Sequence, residues 1–376
     1  MTHPRVAVGL GLGTSPPVWR PRTLLRLARV MHLHSAWTVD HFLGFFPQQI
    51  WNRDLTWTAR PGSSPHEYFD YQVLLGHLAS RAGNVRLGVG VTEALRRHPV
   101  LIAQTFLSLS HLTKRPPILG IGAGERENLE PYGISFEQPV GHLEEALQII
   151  RLCFRSRGPF DFPGKHYRLD GAVMDIRPGR GGVPEIWIGA HGPKMLRLVG
   201  TYGDGWYPSV PMTPDDYGAR LATIRTSAEA AGRDPDAITP SAQLIVVLGR
   251  SEEHARSLLD SRPLRYLALM APASLWRTHG AQHPFGDAFR GFIDLVPQHL
   301  TADELDVAMA SVPRSVLEGA MLWGTPEHVL GGIRELADAG MRHAVLSPAS
   351  ALVSRRDALF SIRAVLGLMR RLQSGY

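Results

Sequence analysis

The apolar residues of this chain fall into eight short runs, and segments with the spacing of one helix face lie between most of them. The runs predict strands at Arg5 to Leu10, Ala36 to Val39, Val85 to Val91, Pro117 to Ile121, Glu185 to Ile188, Gly205 to Pro208, Gln243 to Leu248 and His343 to Leu346. Helices are predicted at Pro21 to Leu33, Glu67 to Arg81, Pro99 to Leu112, Gly141 to Arg155, Lys194 to Gly200, Pro214 to Ala231, from Ser251 onwards, Thr325 to Gly340 and Arg355 to Leu372. This alternation indicates an α/β fold with a parallel sheet, and eight units favour a closed (β/α)8 TIM barrel.

Three stretches interrupt the alternation and are interpreted as insertions into the barrel. Residues 42–66 combine aromatic residues with proline and glycine, which predicts a long loop, and such loops are usually functional. Residues 158–178 alternate around Pro163-Gly164 and predict a hairpin. Residues 263–313 are rich in proline, glycine and aromatic residues. Because no linker divides the chain, we expect a single domain over residues 1–376.

The composition is that of a folded globular protein, with 44% hydrophobic and 20% charged residues among 376. Cys153 is the one cysteine, which excludes an internal disulfide, and it is interpreted as an inert core thiol. No apolar run reaches the roughly 18 residues of a membrane helix, and the N-terminus lacks an export pattern. We therefore expect a cytoplasmic protein without an integral membrane segment.

The chain is basic, with a net charge of +6, and nearly all of its positive charge is arginine. This balance is explained either by coding bias and a solvated surface or by an anionic ligand, which arginine binds bidentately. The arginines are scattered, and neither a basic helix nor an aromatic platform accompanies them. A nucleic-acid partner is therefore not expected.

Four predicted strands end on small or ionisable residues. These ends are Asp40-His41, the segment Gly90, Val91 and Thr92, the segment Gly120 to Gly124 followed by Glu125, and the segment Gly189 to Gly192. Because strand ends converge at one mouth of a barrel, these residues are candidates for one site. Dense glycines let a flat molecule approach the backbone, although packing at the barrel end is an equal alternative.

His41 is a candidate acid–base residue because histidine exchanges protons near neutral pH, and Asp40 could fix its tautomer. A structural role is the alternative. The helix start at Gly192-Pro193 is a candidate phosphate cradle, although every βα unit has such an end. The glycines are not spaced as a dinucleotide fingerprint, no residue set has metal-ligand spacing, and no nucleophile elbow is present.

Together these motifs resemble the luciferase-like barrel superfamily, and within it the branch that uses the deazaflavin coenzyme F420. The resemblance rests on Asp40-His41, LGVGVT at 87–92, GIGAGERE at 120–127 and IGAHGP at 188–193. The chain is more closely similar to phthiodiolone ketoreductase-like proteins, through VTEALRRHP at 91–99, GIGAGERENLEPYG at 120–133, PEIWIGAHGPKMLRLVGTYGDGW at 184–206 and WRTHGAQHPFGDAFRGFIDLVPQ at 276–298.

The resemblance implies a role for each matching residue. His41 would face the reactive carbon of the deazaflavin, with Asp40 beside it, and the Gly90–Val91 bulge, cis in relatives, would back the ring. Glu125 is also a candidate proton donor. Further coenzyme contacts are implied for three sets of residues. The ring and the ribityl chain would be contacted by Thr92, Gly122, Gly124 and Glu125, and Asn128 would make a polar contact nearby. The loop on the phosphate side would be formed by Gly189, Ala190, His191 and Gly192.

The function implied is hydride transfer between reduced F420 and a carbonyl of a hydrophobic small molecule, with a proton from His41 or Glu125. Arg96, Arg97 or Arg126 would lie near the acidic tail of the coenzyme. Relatives that oxidise a sugar phosphate have a tryptophan where this chain has Phe45 or Phe46, and a glutamate near Pro16-Pro17, so a sugar phosphate is not expected. The alternatives are an FMN-dependent luciferase-like monooxygenase and a non-catalytic F420-binding protein. A homodimer is expected from the resemblance.

Overall fold

The computed structural model describes residues 4–375, so residues 1–3 and 376, which the single-domain expectation also spans, lie outside the described range. The strands are β1 (Ala7–Gly11), β2 (Ser35–Thr38), β3 (Arg86–Thr92), β4 (Ile118–Ile121), β5 (Phe160–Pro163), β6 (Arg168–Ala172), β7 (Glu185–Ile188), β8 (Gly205–Trp206), β9 (Thr239–Leu248), β10 (Leu322–Gly324) and β11 (His343–Pro348).

The α-helices surround the strands and fill the longest insertion. They are α1 (Trp19–Val30), α2 (Tyr71–Ala79), α3 (Pro99–Leu112), α4 (Pro139–Arg155), α5 (Pro193–Tyr202), α6 (Pro214–Ala230), α7 (Glu252–Leu259), α8 (Arg262–Leu269), α9 (Ala273–Thr278), α10 (Ala302–Ala310), α11 (Arg314–Ala320), α12 (Pro326–Asp338) and α13 (Arg355–Ser374). Within residues 4–375, no helix combines the length and apolar character needed to cross a membrane.

Eight parallel strands close on themselves in the order β11-β1-β2-β3-β4-β7-β8-β9, and β9 returns to β11. The closure is made where Gly205 of β8 lies beside Thr239 of β9. The remaining strands are additions, since β10 pairs with the last three residues of β9 and β5 with β6 forms a separate antiparallel hairpin. The predicted (β/α)8 TIM barrel is therefore confirmed.

Burial on both faces explains why the barrel strands are continuous apolar runs. In β3 the first four residues are all buried, and every residue of β4 is buried. Helices pack over the outer face with one apolar stripe each. In α3 this stripe includes Ile102 and Phe106, both fully buried, whereas Leu101 faces outward and is 55% exposed.

The end of β3 is irregular, as the resemblance led us to expect. The pairing of β3 with β4 shifts register between Val89 and Thr92, and the Gly90–Val91 peptide is cis. The expected bulge and cis peptide are thus confirmed. The shift places Gly90, Val91 and Thr92 at the rim of the barrel rather than within the regular ladder.

Residues 262–320 contain four helices, α8 to α11, to which the sequence analysis assigned no elements. The prolines that were interpreted as breaks begin helices instead: Pro263 is the second residue of α8, and Pro272 and Pro313 immediately precede α9 and α11. These helices share a hydrophobic cluster with Phe46 and Ile50 of the 42–66 segment. The two insertions therefore support each other above the barrel.

Some predicted boundaries differ from the structure for local reasons. The helix predicted from Glu67 begins at Tyr71, because the Asp70 side chain accepts hydrogen bonds from the backbone of Gln72 and Val73 and caps it. Strand β9 begins at Thr239 rather than Gln243, and β8 ends at Trp206. The three-residue strand β10 was not predicted, since so short a run has no detectable period.

Replacing Phe106 by alanine should lower the free energy of unfolding by about 3–5 kcal/mol, because the ring is fully buried between α3 and the barrel. The matched control on the same helix is Leu101→Ala, which should change stability by about 0.5 kcal/mol or less. Urea unfolding of the two variants measures both values. Equal losses would contradict the assigned orientation of α3.

Candidate active site

A cavity of about 1400 Å³ opens at the carboxyl ends of the barrel strands. The predicted residues that line it are Asp40, His41, Gly90, Val91, Thr92, Gly122, Gly124, Glu125, Asn128, Gly189, His191 and Gly192. Ala190 differs from the others, because it is buried behind the wall, where its carbonyl accepts a hydrogen bond of 2.9 Å from Trp206 Nε1. Four segments distant in sequence thus meet at one mouth.

The Asp40 carboxylate is buried at the end of β2 and is held by three donors. Its Oδ2 atom accepts hydrogen bonds from Thr92 Oγ1 at 2.6 Å and Arg97 Nη1 at 2.7 Å, and lies 3.1 Å from Arg96 Nη2. Arg97 also binds Asp70 at 2.7 Å. No hydrogen bond between the side chains of Asp40 and His41 is present within residues 4–375. Asp40 therefore joins β2 to β3 and α2 instead of setting the tautomer of His41.

Asn128 sets the orientation of His41. The Oδ1 atom of Asn128 accepts hydrogen bonds from the backbone N–H of Phe42 at 2.8 Å and of Leu43 at 3.2 Å. Its Nδ2 group must therefore point the other way, towards His41 Nδ1 at 2.9 Å. Because Nδ1 accepts this hydrogen bond, the neutral ring carries its proton on Nε2, which lies 3.8 Å from Glu125 Oε2.

Glu127 is a buried carboxyl group in this site that the sequence analysis did not select. Its Oε1 atom lies 3.6 Å from His41 Nδ1, and its Oε2 atom is buried without a hydrogen-bond partner among the described residues. The motif gave no signal for it, because only the 3₁₀ turn at Arg126–Asn128 brings Glu125 and Glu127 to the same ring. Three titratable groups therefore share one small volume.

Burial raises the pKa of Glu127 to about 7, and the nearby Glu125 carboxylate acts in the same direction, whereas the adjacent His41 ring lowers that pKa. Burial lowers the pKa of His41, but the carboxylates of Glu125, Glu127 and Asp40 outweigh it and raise that pKa above its usual value. Both shifts favour a bound proton. The His41–Glu127 pair therefore holds a proton at neutral pH.

The same group has the donor atoms of a metal site, since one donor atom from each of His41, Glu125 and Glu127 lies within 4.8 Å of the others. The Asn128 amide donates into this cluster, with Nδ2 at 3.4 Å from both Glu125 Oε2 and Glu127 Oε1. An N–H group pointing at these atoms compensates anionic oxygens and cannot ligate a cation. The arrangement suits proton exchange better than metal binding.

The floor of the cavity is open where the chain has glycine. A Cβ atom added at Gly192 would meet nothing within 4 Å, and one at Gly122 would approach Val91 Cγ2 at 3.1 Å. Gly192 precedes α5, whose first turn has backbone N–H groups without intrahelical partners and whose residues Pro193 and Met195 line the cavity. Beside it, His191 is buried with Nδ1 unpartnered within the described chain, and burial lowers its pKa to about 4. A planar group with an anionic end fits this floor.

The opposite wall is apolar and comes from the two insertions. The Phe45 ring lies 4.9 Å from that of His41 and 5.5 Å from that of Phe292, which also lines the cavity. An ion pair of 3.4 Å between Arg126 and Asp294 joins the Glu125 loop to the insertion. The arginines proposed to meet an acidic tail (Arg96, Arg97, Arg126) are each paired with carboxylates of the chain itself.

A glycine floor, an apolar wall and a buried histidine–carboxylate group at the mouth of a (β/α)8 barrel define a barrel protein with an acid–base site beside a slot for a flat ligand. The chain belongs to the luciferase-like monooxygenase family, whose sequence model matches residues 7–343. The family assignment made from the motifs is thereby confirmed.

Several relatives and solved structures are similar to this chain. The phthiodiolone/phenolphthiodiolone dimycocerosates ketoreductase of Mycobacterium tuberculosis is 37% identical over 88% of each chain. The 5,10-methylenetetrahydromethanopterin reductase of Archaeoglobus fulgidus is 27% identical over 78% of this chain and 84% of its own. An F420-dependent secondary alcohol dehydrogenase, solved with an F420–acetone adduct, superposes with a TM-score of 0.74 at 18% identity, covering 97% of this chain and 98% of its own.

The raised pKa of Glu127 predicts a specific dependence of stability on pH. The folded protein retains a proton up to about pH 7 that the unfolded chain releases near 4.5, so the free energy of unfolding falls as pH rises between these values. In the Glu127→Gln variant this decrease in the free energy of unfolding, on the order of 3 kcal/mol over the interval, should be absent. Urea unfolding at a series of pH values measures it.

The control for this experiment is Glu137→Gln, an exposed residue in the same segment. This variant should follow the pH course of the parent protein. If E127Q also followed the parent course, the proton would not reside on Glu127 in the folded state.

Proposed function

We propose that this protein is an F420-dependent oxidoreductase that reduces a carbonyl group of an apolar small molecule. The observation that carries the proposal is the proximity of His41 to Glu125 and Glu127, at 3.8 and 3.6 Å, at the edge of a glycine-floored slot. The reactions named for the relatives support the same class of chemistry.

The residues of the slot fit the parts of a deazaflavin coenzyme. The floor at Gly90, Val91 and Gly122 would support the ring, and the N–H groups at the start of α5 would receive the phosphate. When bound, the coenzyme supplies the hydride, and the protein orients the reactants and excludes water. Arg220 lines the cavity and donates to the His191 carbonyl, which adds positive charge on the phosphate side.

The chain supplies the proton that a carbonyl oxygen needs when it becomes a hydroxyl. His41 carries a proton on Nε2 at the cavity edge, and Asn128 fixes the ring in that orientation. Glu125 is the more exposed carboxyl group, with 29% of its side chain accessible, whereas 2% of Glu127 is accessible. We assign the transfer to His41 or Glu125, and Glu127, buried behind the ring with a pKa raised to about 7, holds a further proton of this cluster.

The apolar wall favours a hydrophobic acceptor. Phe45 packs beside His41 and Phe292 packs against Phe45, and neither ring offers a hydrogen bond to a hydroxylated substrate. A sugar phosphate is disfavoured for this reason and because the expected tryptophan is replaced. Within this proposal the protein is a cytoplasmic homodimer, as its composition and its resemblance to dimeric relatives led us to expect.

The second candidate is an FMN-dependent monooxygenase, which the family assignment favours because it is named for that activity. Such an enzyme would consume oxygen with reduced FMN. A third possibility is an F420-binding protein without catalytic activity. Titration of the protein with F420 and with FMN separates the first two, and oxidation of reduced F420 by apolar ketones separates the first from the third.

His41→Gln should lower the rate of F420-linked ketone reduction by roughly 10²- to 10⁴-fold, because it removes the proton-bearing nitrogen at the reacting centre. Coenzyme affinity should change little, since the floor and the phosphate side remain. The measurements are single-turnover absorbance of the reduced coenzyme and its equilibrium binding. His299→Gln, at an exposed histidine outside the cavity, serves as the control. Tight FMN binding with no F420 binding would overturn the proposal.

A further inference from the structure

A second cavity, of about 610 Å³, lies at the amino-terminal end of the barrel, opposite the candidate active site. It is formed by the end of α1 and the segments that lead into β2, β3 and β4. Its charged and titratable lining residues are Arg26, Arg29, His32, His34, Arg86, Lys114 and Arg115, and neither aspartate nor glutamate lines it. Five permanent positive charges therefore face one concave surface.

Most of these charges lack a counter-charge. Arg86 is the exception, since its Nη2 lies 2.9 Å from Glu185 and its Nε donates to the Pro116 carbonyl at 2.8 Å. Within residues 4–375, the side chains of Arg26, Arg29, Lys114 and Arg115 make neither an ion pair nor a hydrogen bond. Arginines at the mouth, such as Arg96 and Arg97, are instead neutralised by carboxylates. The repulsion between the cationic side chains around this cavity is thus not offset by carboxylates of the chain.

Buried nitrogen atoms beside this cavity also lack hydrogen bonds. Arg86 is 6% exposed and lines the cavity, and its Nη2, although ion-paired with Glu185, makes no hydrogen bond within the described chain. The same holds for Nδ1 of His34 and Nδ1 of His343, whose rings lie 5.1 Å apart. Burial lowers the pKa of His34 to about 4, and Arg86 and Arg115 add to the effect. An anion bound in this cavity would accept hydrogen bonds from Arg86 and offset the positive charge of the lining residues.

We propose that this cavity is a binding site for a phosphate group, either on a soluble small molecule or on a lipid. Arginine binds phosphate oxygens bidentately, and a buried arginine flanked by exposed cations provides both fixed and adaptable contacts. Strand β3 spans the barrel from Arg86 to Thr92, roughly 20 Å, so the site is separate from the mouth. It does not depend on the proposed function.

Calorimetric titration with inorganic pyrophosphate tests the site. The double variant Lys114→Gln/Arg115→Gln should weaken binding by roughly tenfold or more, because two charge-assisted contacts are lost. The control, Arg53→Gln/Arg60→Gln, removes the same charge from the exposed 42–66 segment and should bind like the parent. Absence of binding to the parent, or equal weakening in both double variants, would overturn the proposal. Thermal melting confirms that both variants fold.

Two further measurements define the ligand. In NMR titrations, saturating pyrophosphate should raise the pKa of His34, whose signal is assigned from His34→Gln, and an unchanged titration would contradict binding at this cavity. Sedimentation with phosphatidate vesicles separates the sources. Vesicle binding that pyrophosphate displaces supports a lipid headgroup, and pyrophosphate binding without vesicle binding supports a soluble phosphate. Vesicle binding that neither pyrophosphate nor the Lys114/Arg115 double variant weakens would overturn the site.

Discussion

The buried carboxylate of Asp40 is the interaction on which the mouth of this barrel depends. It ends β2 and receives Thr92 from β3 together with Arg96 and Arg97 from the following segment, and Arg97 extends the contact to the cap of α2. An unpaired buried charge would cost about 3–5 kcal/mol, so these four elements have one favourable arrangement. That arrangement positions His41, which follows Asp40 directly, and the irregular end of β3.

The second constraint comes from Asn128, which fixes the ring nitrogen of His41 that carries the proton. Its amide can face His41 in one orientation alone, because two backbone N–H groups occupy its oxygen. The ring therefore presents Nε2–H to the cavity and Nδ1 to the interior, where Glu127 lies. Glu127 is almost fully buried and its pKa is raised to about 7, so it can hold a proton beside the ring. The site thus separates the group that touches the cavity from the buried group that holds a proton.

The sequence predicted those parts of the molecule that depend on local periodicity and on strand order. Apolar runs located the eight barrel strands, and the residues predicted for the site, except Ala190, line the cavity. The role of Asp40 and the contribution of Glu127 were not predictable, because both depend on contacts between segments distant in sequence. Helices α8, α9 and α11 were missed since the prolines at their starts, Pro263, Pro272 and Pro313, have the same appearance in a sequence whether they end a segment or begin one.

The space above the His41 ring is built mainly by the insertions, which pack on the end of β9 at Val247. The 42–66 segment and helices α8 to α11 share their own hydrophobic cluster, and Gln49 Nε2 donates to the carbonyls of Pro297 and Leu300 at 3.1 and 3.0 Å. Substitutions in this cluster can reshape the apolar wall at Phe45 and Phe292 without altering the strand ends that hold Asp40 and His41. Ligand preference therefore depends on the packing of the insertions, whereas acid–base geometry depends on the strand ends. A barrel of this kind can keep its chemistry while changes in its insertions alter the ligand that it accepts.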